Sequence, residues 1–187
     1  MKKCLLSGST AICVFLDVQG AYDNVDLHQL IRVLYSLGFP GKLLKWIFHM
    51  YYGRSLYIKY NNVFHGPKLA FKGLMQGSSL SPILYNLYTS QIYTYVTESV
   101  KILQFADDIL IYSVGSNLQV TQAKVNSALC QLNYYYTEIL KLNINSSKSS
   151  VLAYGIDTNV NVKYNNNLIP QNSEKKFLGV IFDTKLK

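Results

Sequence analysis

The sequence is poor in arginine and cysteine and has no long apolar segment. Only Arg32 and Arg54 are arginines, so most of the positive charge is lysine, which suits diffuse attraction to phosphate better than bidentate contacts to bases. Cys4, Cys13 and Cys130 lack metal-ligand spacing and form no even set, which indicates reduced thiols in an intracellular protein. No apolar run approaches the roughly 18 residues of a membrane span, so we expect no membrane partner.

The amino terminus imitates a signal peptide, with a basic tip and an apolar middle in MKKCLLSGSTAICVFLDVQG. Two features argue against a signal peptide: SGST interrupts the apolar part, and Asp17 follows AICVFL at once. We therefore expect no cleavage, and a nuclear or cytoplasmic location rather than secretion.

Basic residues outnumber acidic ones, 18 against 10, for a net charge of +8. This balance favours a polyanionic partner, nucleic acid before an anionic membrane surface, although lysines that only keep a protein soluble would give the same count. A hydrophobic fraction of 49% is enough for a packed core in one domain. An RNA-binding sheet of the RRM type is not indicated, because no aromatic stretch of the required kind is visible.

The apolar pattern alternates between short strands and amphipathic helices, with no linker and no internal repeat. In chain order it first predicts a strand at 12–18, a helix within DNVDLHQLIRVLYSLG, and a helix from Gly41 to Gly53 whose inner residues are Leu43, Ile47 and Met50. A hairpin turning at Asn61-Asn62 follows, and then a helix from Ser81, its N-cap, and Pro82 to about Glu98. The remaining predicted elements are strands at 101–106 and 109–114, a helix from Asn117 to about Lys141, and strands at SVLAY, NVKY and KFLGVIF. Helices segregated onto one face of an antiparallel sheet make the fold class α+β.

Three carboxylates fall at predicted strand ends. Asp17 ends the first strand, and Asp107 and Asp108 form the tight turn between two later ones. Each has an ordinary explanation, because Asp is favoured in turns and at helix caps. If those strands are neighbours, however, the three carboxylates meet at one edge of the sheet and repel each other. Mg²⁺ would offset that repulsion, since it takes oxygen ligands from carboxylates and substrate phosphates, and a pair of such ions supports nucleotidyl transfer.

Five segments resemble the polymerase motifs of the reverse transcriptases of non-LTR (LINE-type) retrotransposons, in that family's order and approximate spacing. They are FLDVQGAYDNV, GLMQGSSLSPILYNLY, FADD, LKLNINSSKSSVLAYG and KFLGVIFD. They correspond in turn to motif A (15–25), motif B (73–88), motif C (104–110), motif D (140–154) and motif E (176–183). The resemblance covers nearly the whole chain. It implies one partial reverse transcriptase domain over 1–187, with a palm-like antiparallel sheet, helices packed on one face and a small fingers-type hairpin insert.

The resemblance implies a centre for two Mg²⁺ ions, with Mn²⁺ as a possible substitute. Asp17 and Asp107 would be the main metal ligands, Asp108 would be the third carboxylate, and the Val18 carbonyl would complete the metal shell. The reaction implied is RNA-directed DNA polymerisation, the transfer of dNTPs to a primer 3′-hydroxyl on an RNA or DNA template.

Other residues are implied to hold the nucleotide. Tyr22 would lie under the incoming sugar and exclude a 2′-hydroxyl by its bulk; without the family it is equally a core aromatic in a chain with 16 tyrosines. Gln76 and Gly77 would sit beside the nascent base pair, or form an ordinary loop before a helix. Lys148 would lie near the triphosphate and protonate the leaving pyrophosphate, or be an exposed surface lysine.

The primer end is implied to rest on Phe177, Leu178 and Gly179, a hairpin role that is compatible with a core strand. Asp23 is expected to be structural, as a helix cap.

The motif match begins just before motif A, and complete fingers and thumb regions, an endonuclease and an RNase H are missing from these 187 residues. We therefore expect a truncated domain with weak or undetectable primer extension on its own, because catalysis depends on positioning. Two alternatives stay open: a reverse transcriptase catalytic domain, and an inactive remnant that at most binds nucleic acid through its lysines.

Overall fold

A four-stranded antiparallel sheet carries the three carboxylates of the predicted site, Asp17 and Asp108 in its strands and Asp107 in the turn between two of them. The computed structural model describes residues 9–155 and 159–184. Two compact units are present. The first contains Ile92–Glu138 with residues 9–19, 143–155 and 159–184, and the second contains Gly20–Gln91 with Ile139–Leu142.

The described strands and helices are numbered in chain order. They are β1 (Thr10–Asp17), α1 (Leu27–Ser36), α2 (Gly41–Tyr51), β2 (Arg54–Tyr60), β3 (Val63–Ala70), α3 (Ser81–Tyr88), α4 (Ile92–Tyr95), β4 (Lys101–Phe105), β5 (Asp108–Gly115), α5 (Leu118–Tyr134) with a π-helical turn (Tyr135–Ile139), β6 (Ser150–Tyr154), β7 (Lys163–Tyr164), β8 (Asn167–Leu168), β9 (Glu174–Phe177) and β10 (Val180–Asp183).

The sheet of the first unit has the strand order β4-β5-β1-β6, with every neighbouring pair antiparallel. Its strand β1 reads TAICVFLD and is buried until its last residue, as a continuous apolar run predicts for a strand covered on both faces. The register pairs Thr10 with Gly115 at one end of β1 and Asp17 with Asp108 at the other. The predicted α+β fold with an antiparallel sheet is confirmed.

Different elements of the first unit cover the two faces of this sheet. On one face, Phe15 lies in an apolar cluster with Phe177 of β9 and next to Phe182 of β10. The ring centroids of Phe15 and Phe177 are 5.2 Å apart, in an edge-to-face arrangement. On the other face, α5 packs on β1 and β5. The buried side of α5 is formed by Thr121, Val125, Ala128, Leu129 and Leu132.

The second unit combines three helices with the β2–β3 hairpin. Tyr51 of α2 is fully buried, and its hydroxyl forms a hydrogen bond with the hydroxyl of Ser81, 3.1 Å away, at the start of α3. The hairpin turns at Asn61-Asn62, as predicted, and both asparagines have positive φ, the backbone that a two-residue hairpin loop requires.

Several predicted helix boundaries are wrong. Helix α1 is capped by Asp26, whose side chain accepts a hydrogen bond from the Gln29 amide at 2.8 Å, and not by Asp23. The residue at the N-cap of α3 is Leu80, without a side-chain bond. Ser81 is instead the first helical residue, and its hydroxyl donates to the Met75 carbonyl at 2.6 Å.

Helix α3 also ends earlier than predicted, at Tyr88 rather than near Glu98. The hydroxyls of Thr89 and Ser90 donate to the carbonyls of Tyr85 and Leu87, and such side-chain bonds compete with further helical hydrogen bonds.

In α2 the buried residues are Leu44, Ile47 and Tyr51, so the predicted inner positions of Leu43 and Met50 are wrong by one place. The predicted strand KFLGVIF is the β9–β10 hairpin, because Leu178 and Gly179 both have positive φ and turn the chain.

Candidate active site

Asp17 and Asp108 face each other across two neighbouring strands. Asp17 is the last residue of β1, Asp108 is the first residue of β5, and the register makes them direct partners. Directly opposite residues of an antiparallel pair lie on the same face, with Cβ atoms about 4.5–5.5 Å apart. Asp17 and Asp108 therefore do not lie on opposite faces of the sheet, an arrangement that would have contradicted a shared acidic site.

Asp107 occupies the turn that leads into β5. Phe105 pairs with Asp108, which leaves Ala106 and Asp107 as a two-residue loop. Ala106 adopts a φ of 51°, and its carbonyl accepts a hydrogen bond from the Gln104 side chain at 3.2 Å. This hydrogen bond from Gln104 stabilises the turn, which holds Asp107 next to Asp108. Asp108 itself belongs to the strand, so the predicted turn is shifted by one residue.

The three carboxylates interact electrostatically. The pKa of Asp108 is raised above its ordinary value, mainly by burial and then by the negative charges of Asp107 and Asp17. Lys175 acts in the opposite direction. Among the described residues, no group of three His, Cys, Asp or Glu side chains is already arranged around a common metal position, so the shared metal pair stays a prediction.

Two lysines lie beside the carboxylates. Lys148 Nζ is 4.0 Å from Asp17 Oδ2, and its side chain is 69% exposed. Lys175 Nζ donates to the Lys148 carbonyl at 3.1 Å. Sequence reasoning missed Lys175. The available signal was strand alternation, which places Lys175 on the same face of β9 as Phe177, the face turned toward the sheet.

The Val18 carbonyl is not used by the backbone bonds on either side of it. Val18 forms an antiparallel bridge with Ile144, and the two bonds of that bridge run from the Asn145 amide to the Asp17 carbonyl and from the Gln19 amide to the Asn143 carbonyl, each 2.8 Å long. In such a pair the central residues point their own backbone groups away from the partner strand. The Val18 carbonyl is therefore turned away from the segment around Ile144.

Tyr22 lies in the second unit and is fixed by another aromatic ring. Its ring stacks on that of Tyr85, with centroids 4.9 Å apart and an interplanar angle of 20°. Tyr85 is fully buried, whereas Tyr22 is half-buried. One face of the Tyr22 ring is thus held by the core of its own unit.

Gln76 and Gly77 form an exposed loop in the same unit. The Gln76 side-chain amide donates to Asp23 Oδ1 at 3.0 Å. Asp23 therefore orients Gln76 instead of capping a helix. Gly77 has a φ of +88° with open space around its Cα, so backbone conformation rather than crowding favours glycine there.

Phe177, Leu178 and Gly179 lie at the turn of the β9–β10 hairpin. Phe177 is buried against Phe15, while Leu178 and Gly179 project from the turn and are exposed. The hairpin is thereby anchored through Phe177 on the same sheet face that carries Asp17 and Asp108.

The predicted site residues are divided between the two units. Asp17, Val18, Asp107, Asp108, Lys148 and the Phe177–Gly179 turn belong to the first unit, and Tyr22, Gln76 and Gly77 belong to the second. Within the described ranges, no helix is long and apolar enough to cross a membrane.

Known proteins match this chain over nearly its whole length. A family model described as reverse transcriptase (RNA-dependent DNA polymerase) matches residues 2–182. The RNA-directed DNA polymerase from mobile element jockey of Drosophila melanogaster is 26% identical, over 94% of this chain and 20% of that protein. The jockey polymerase of Drosophila funebris is 29% identical, over 92% of this chain and 19% of its own length. The chain thus spans about a fifth of the curated relatives it matches.

Solved structures show the same fold. An apo telomerase from Candida tropicalis, truncated from its C-terminal domain, superimposes with a TM-score of 0.66 at 15% identity, over 100% of this chain and 37% of that one. A telomerase from Candida albicans, in complex with a fragment of telomeric RNA, gives a TM-score of 0.57 at 15% identity, over 94% of this chain and 30% of that one. The fold is thus palm-like, and the chain belongs to the reverse transcriptase family, with relatives among the polymerases of non-LTR retrotransposons.

Proposed function

We propose that this chain is the catalytic palm of an RNA-directed DNA polymerase, a single partial domain over 1–187, which adds dNTPs to a primer 3′-hydroxyl on an RNA or DNA template. The observation that carries the proposal is the direct pairing of Asp17 with Asp108 across β1 and β5, next to a turn that holds Asp107. A structural role alone gives no reason to place three like charges at one edge of a sheet.

The donor set fits hard divalent cations. Mg²⁺ and Mn²⁺ prefer oxygen ligands, and Mg²⁺ uses one or two carboxylates plus substrate phosphates. Asp17 and Asp107 would be the main ligands, Asp108 the third carboxylate, and the Val18 carbonyl a further oxygen. When bound, two such ions would activate the attacking 3′-oxygen and stabilise the leaving oxygen of an in-line phosphoryl displacement.

Lys148 would bind the triphosphate and act as general acid. It is exposed and lies 4.0 Å from Asp17, so a phosphate held by the carboxylate site would be within reach of its ammonium group. Proton donation to the pyrophosphate oxygen makes that group a better leaving group. Lys175 supports this role by holding the Lys148 backbone through the bond to its carbonyl.

Tyr22 would select deoxynucleotides by occupying the space of a ribose 2′-hydroxyl. Its stacking on buried Tyr85 supports this role, because a ring that cannot swing away excludes by bulk. Gln76 would contact the nascent base pair, with Asp23 fixing its amide, and Gly77 would allow close backbone approach. Leu178 and Gly179 would support the primer end from a hairpin anchored by Phe177.

Primer extension and metal binding together test the proposal. Purified chain is incubated with an RNA or DNA template, a DNA primer and dNTPs, with and without Mg²⁺ or Mn²⁺, and Mn²⁺ binding is followed separately by electron paramagnetic resonance. Asp107→Asn should abolish any extension and weaken Mn²⁺ binding, because a neutral amide cannot balance the charge of the cations. Asp26→Asn, which also removes one charge but keeps an effective helix cap, should change neither.

The two open alternatives give different results in this experiment. An inactive remnant would bind nucleic acid but show no extension, and its Mn²⁺ binding would not depend on Asp107. Extension that persists in Asp107→Asn would refute the assigned site.

A further inference from the structure

The β2–β3 hairpin presents large apolar side chains to solvent. Every residue from Ser55 to Leu69 is exposed. The large apolar side chains among them, between 46% and 72% exposed, are Leu56, Tyr57, Ile58, Tyr60, Val63, Phe64 and Leu69. These side chains lie on both faces of the hairpin, and exposed apolar surface of this extent marks an interaction site.

The hairpin is fixed at both ends. Its turn residues Asn61 and Asn62 have φ of 47° and 61°, which suits a tight two-residue loop. At its base, Arg54 Nη1 donates to the carbonyls of Tyr51 at 3.0 Å and of Gly73 at 2.9 Å. Side chains on such a support are already positioned, which reduces the ordering cost of binding.

Two aromatic rings and a cation share one face of the hairpin, which we name the stacking face (Tyr57, Lys59 and Phe64). Lys59 pairs directly with Phe64, and its Nζ lies 5.6 Å from the centroid of the Phe64 ring. The register of the hairpin shifts between Leu56 and Ile58, with the extra residue on β3. Alternation along β2 is therefore uninterrupted, and Tyr57, two residues before Lys59, lies on the same face. A Cβ at Gly66 would lie 2.7 Å from the Leu56 carbonyl oxygen and 3.3 Å from a Tyr57 ring carbon, so glycine lets β3 pass close beside Tyr57.

The surrounding sequence is basic and contains no acid. No Asp or Glu occurs between residues 27 and 97, and the same stretch contains seven basic residues. They are Arg32, Lys42, Lys45, Arg54, Lys59, Lys68 and Lys72. This charge is complementary to phosphate, and exposed aromatic rings are complementary to the flat faces of unpaired bases. A protein partner could bind the exposed apolar side chains equally well. A protein interface, however, gives no reason for the absence of Asp and Glu from residues 27 to 97.

We propose that the stacking face binds single-stranded nucleic acid, with one base against Tyr57, one against Phe64, and Lys59 beside the phosphate backbone. A duplex does not suit this surface, because its base faces are already stacked. The proposal deepens the proposed function, since the strand bound would be the unpaired template, but it requires no catalysis.

Fluorescence anisotropy with labelled oligo(dT) and oligo(U), in the absence of divalent cations, measures this binding. Tyr57→Ala and Phe64→Ala should each weaken binding about tenfold, while Tyr57→Phe and Phe64→Tyr should keep the wild-type affinity because a ring remains. Lys59→Ala should lower the slope of log K against log salt by about 0.7. A blunt duplex of equal length should show none of the aromatic effects.

Two exposed tyrosines provide matched controls. Tyr35 is 73% exposed on α1 of the same unit, and Tyr60 lies on the opposite face of the hairpin, paired with Val63. Both Tyr→Ala variants should bind like the wild type, and circular dichroism should show that all variants are folded. Unchanged affinity in Tyr57→Ala and Phe64→Ala would overturn the proposal, and an equal loss in Tyr60→Ala would overturn the assignment to this face.

A second copy of the chain could also cover the hairpin, and sedimentation velocity distinguishes such a dimer from nucleic-acid binding. A dimer that Tyr57→Ala dissociates, with unchanged oligonucleotide affinity, would replace the proposal by self-association. The outcome of the oligonucleotide-binding experiment is also independent of the primer-extension test. Stacking-dependent binding without primer extension supports the hairpin proposal and counts only against polymerase activity, whereas extension with no aromatic effect on binding counts only against the hairpin.

Discussion

Asp108→Asn is expected to stabilise the metal-free protein and to reduce its stabilisation by Mg²⁺. Asp17 and Asp108 are direct partners across β1 and β5, and like charges at such positions are destabilising. The pKa of Asp108 is raised mainly by burial, and the charges of Asp107 and Asp17 raise it further, which is the contribution that this repulsion makes. Asparagine keeps the shape and one oxygen but removes the charge.

The gain without metal is small. Pairwise effects across a sheet are about 0.2–1 kcal/mol, and Lys148, 4.0 Å from Asp17, already offsets part of the repulsion. We therefore expect about 0.5 kcal/mol, which raises the Tm of a chain of this size by roughly 1–2 °C. Mg²⁺ at about 100 times its Kd would stabilise the wild type by about 2.7 kcal/mol. The variant should gain much less, so the order of the two Tm values reverses.

Thermal melts followed by circular dichroism, in EDTA and in saturating MgCl₂, measure both effects. Asp26→Asn is the control, since it also loses one negative charge, but at a helix N-terminus where that charge is favourable by about 0.3–1 kcal/mol. It should lower the Tm slightly and keep the full Mg²⁺ response. A lower Tm for Asp108→Asn in EDTA would refute the repulsion argument, and an undiminished Mg²⁺ shift would refute its role at the metal site.

Three further outcomes are expected. Tyr22→Ala should raise the use of ribonucleotides relative to deoxynucleotides by roughly tenfold in kcat/KM, and an unchanged ratio would argue against selection by the ring. Lys175→Met removes the donor to the Lys148 carbonyl, so kcat for extension should fall severalfold with little change in the KM for template-primer; a change in KM alone would contradict a positioning role. Burial raises the pKa of Cys13 and of Tyr154 to about 12, from ordinary values of 9.0 and 10.0. Above pH 9 the unfolded chain therefore binds fewer protons than the folded one, and the free energy of unfolding should fall as pH rises from 9 to 12. Urea denaturation at several pH values measures this, and a flat profile would contradict it.

Features set by neighbouring residues in the chain could be predicted from the sequence. The Asn61-Asn62 turn and the apolar strand that ends at Asp17 are examples, because turn chemistry and the apolar pattern act over a few residues. The meeting of Asp17 with Asp108 followed from two strand ends and the assumption that their strands pair. That assumption is correct.

Features set by contacts between distant residues could not be predicted. The contacts of Asp23 and Lys175 are examples: Asp23 accepts from Gln76, 53 residues away, and Lys175 donates to the Lys148 carbonyl across 27 residues. Strand alternation indicates the face on which Lys175 lies but not the carbonyl that it contacts. The early end of α3 depends on the hydroxyls of Thr89 and Ser90, whose choice of partner a periodic apolar pattern does not record.

The carboxylates also help to determine how β1 and β5 pair. A strand that is apolar on one face has its register fixed by that face, because a slip of one residue turns every side chain over. Strand β1 is apolar on both faces from Ala11 to Leu16, so this constraint is weak within the strand. The charged end of β1 supplies a stronger constraint on the register. A slip that moved Asp17 or Asp108 inward would bury an unpaired carboxylate among apolar side chains, at a cost of several kcal/mol. The carboxylates therefore destabilise the native register by a few tenths of a kcal/mol and the slipped registers by far more, which is why a locally unfavourable pair is compatible with a single well-defined sheet.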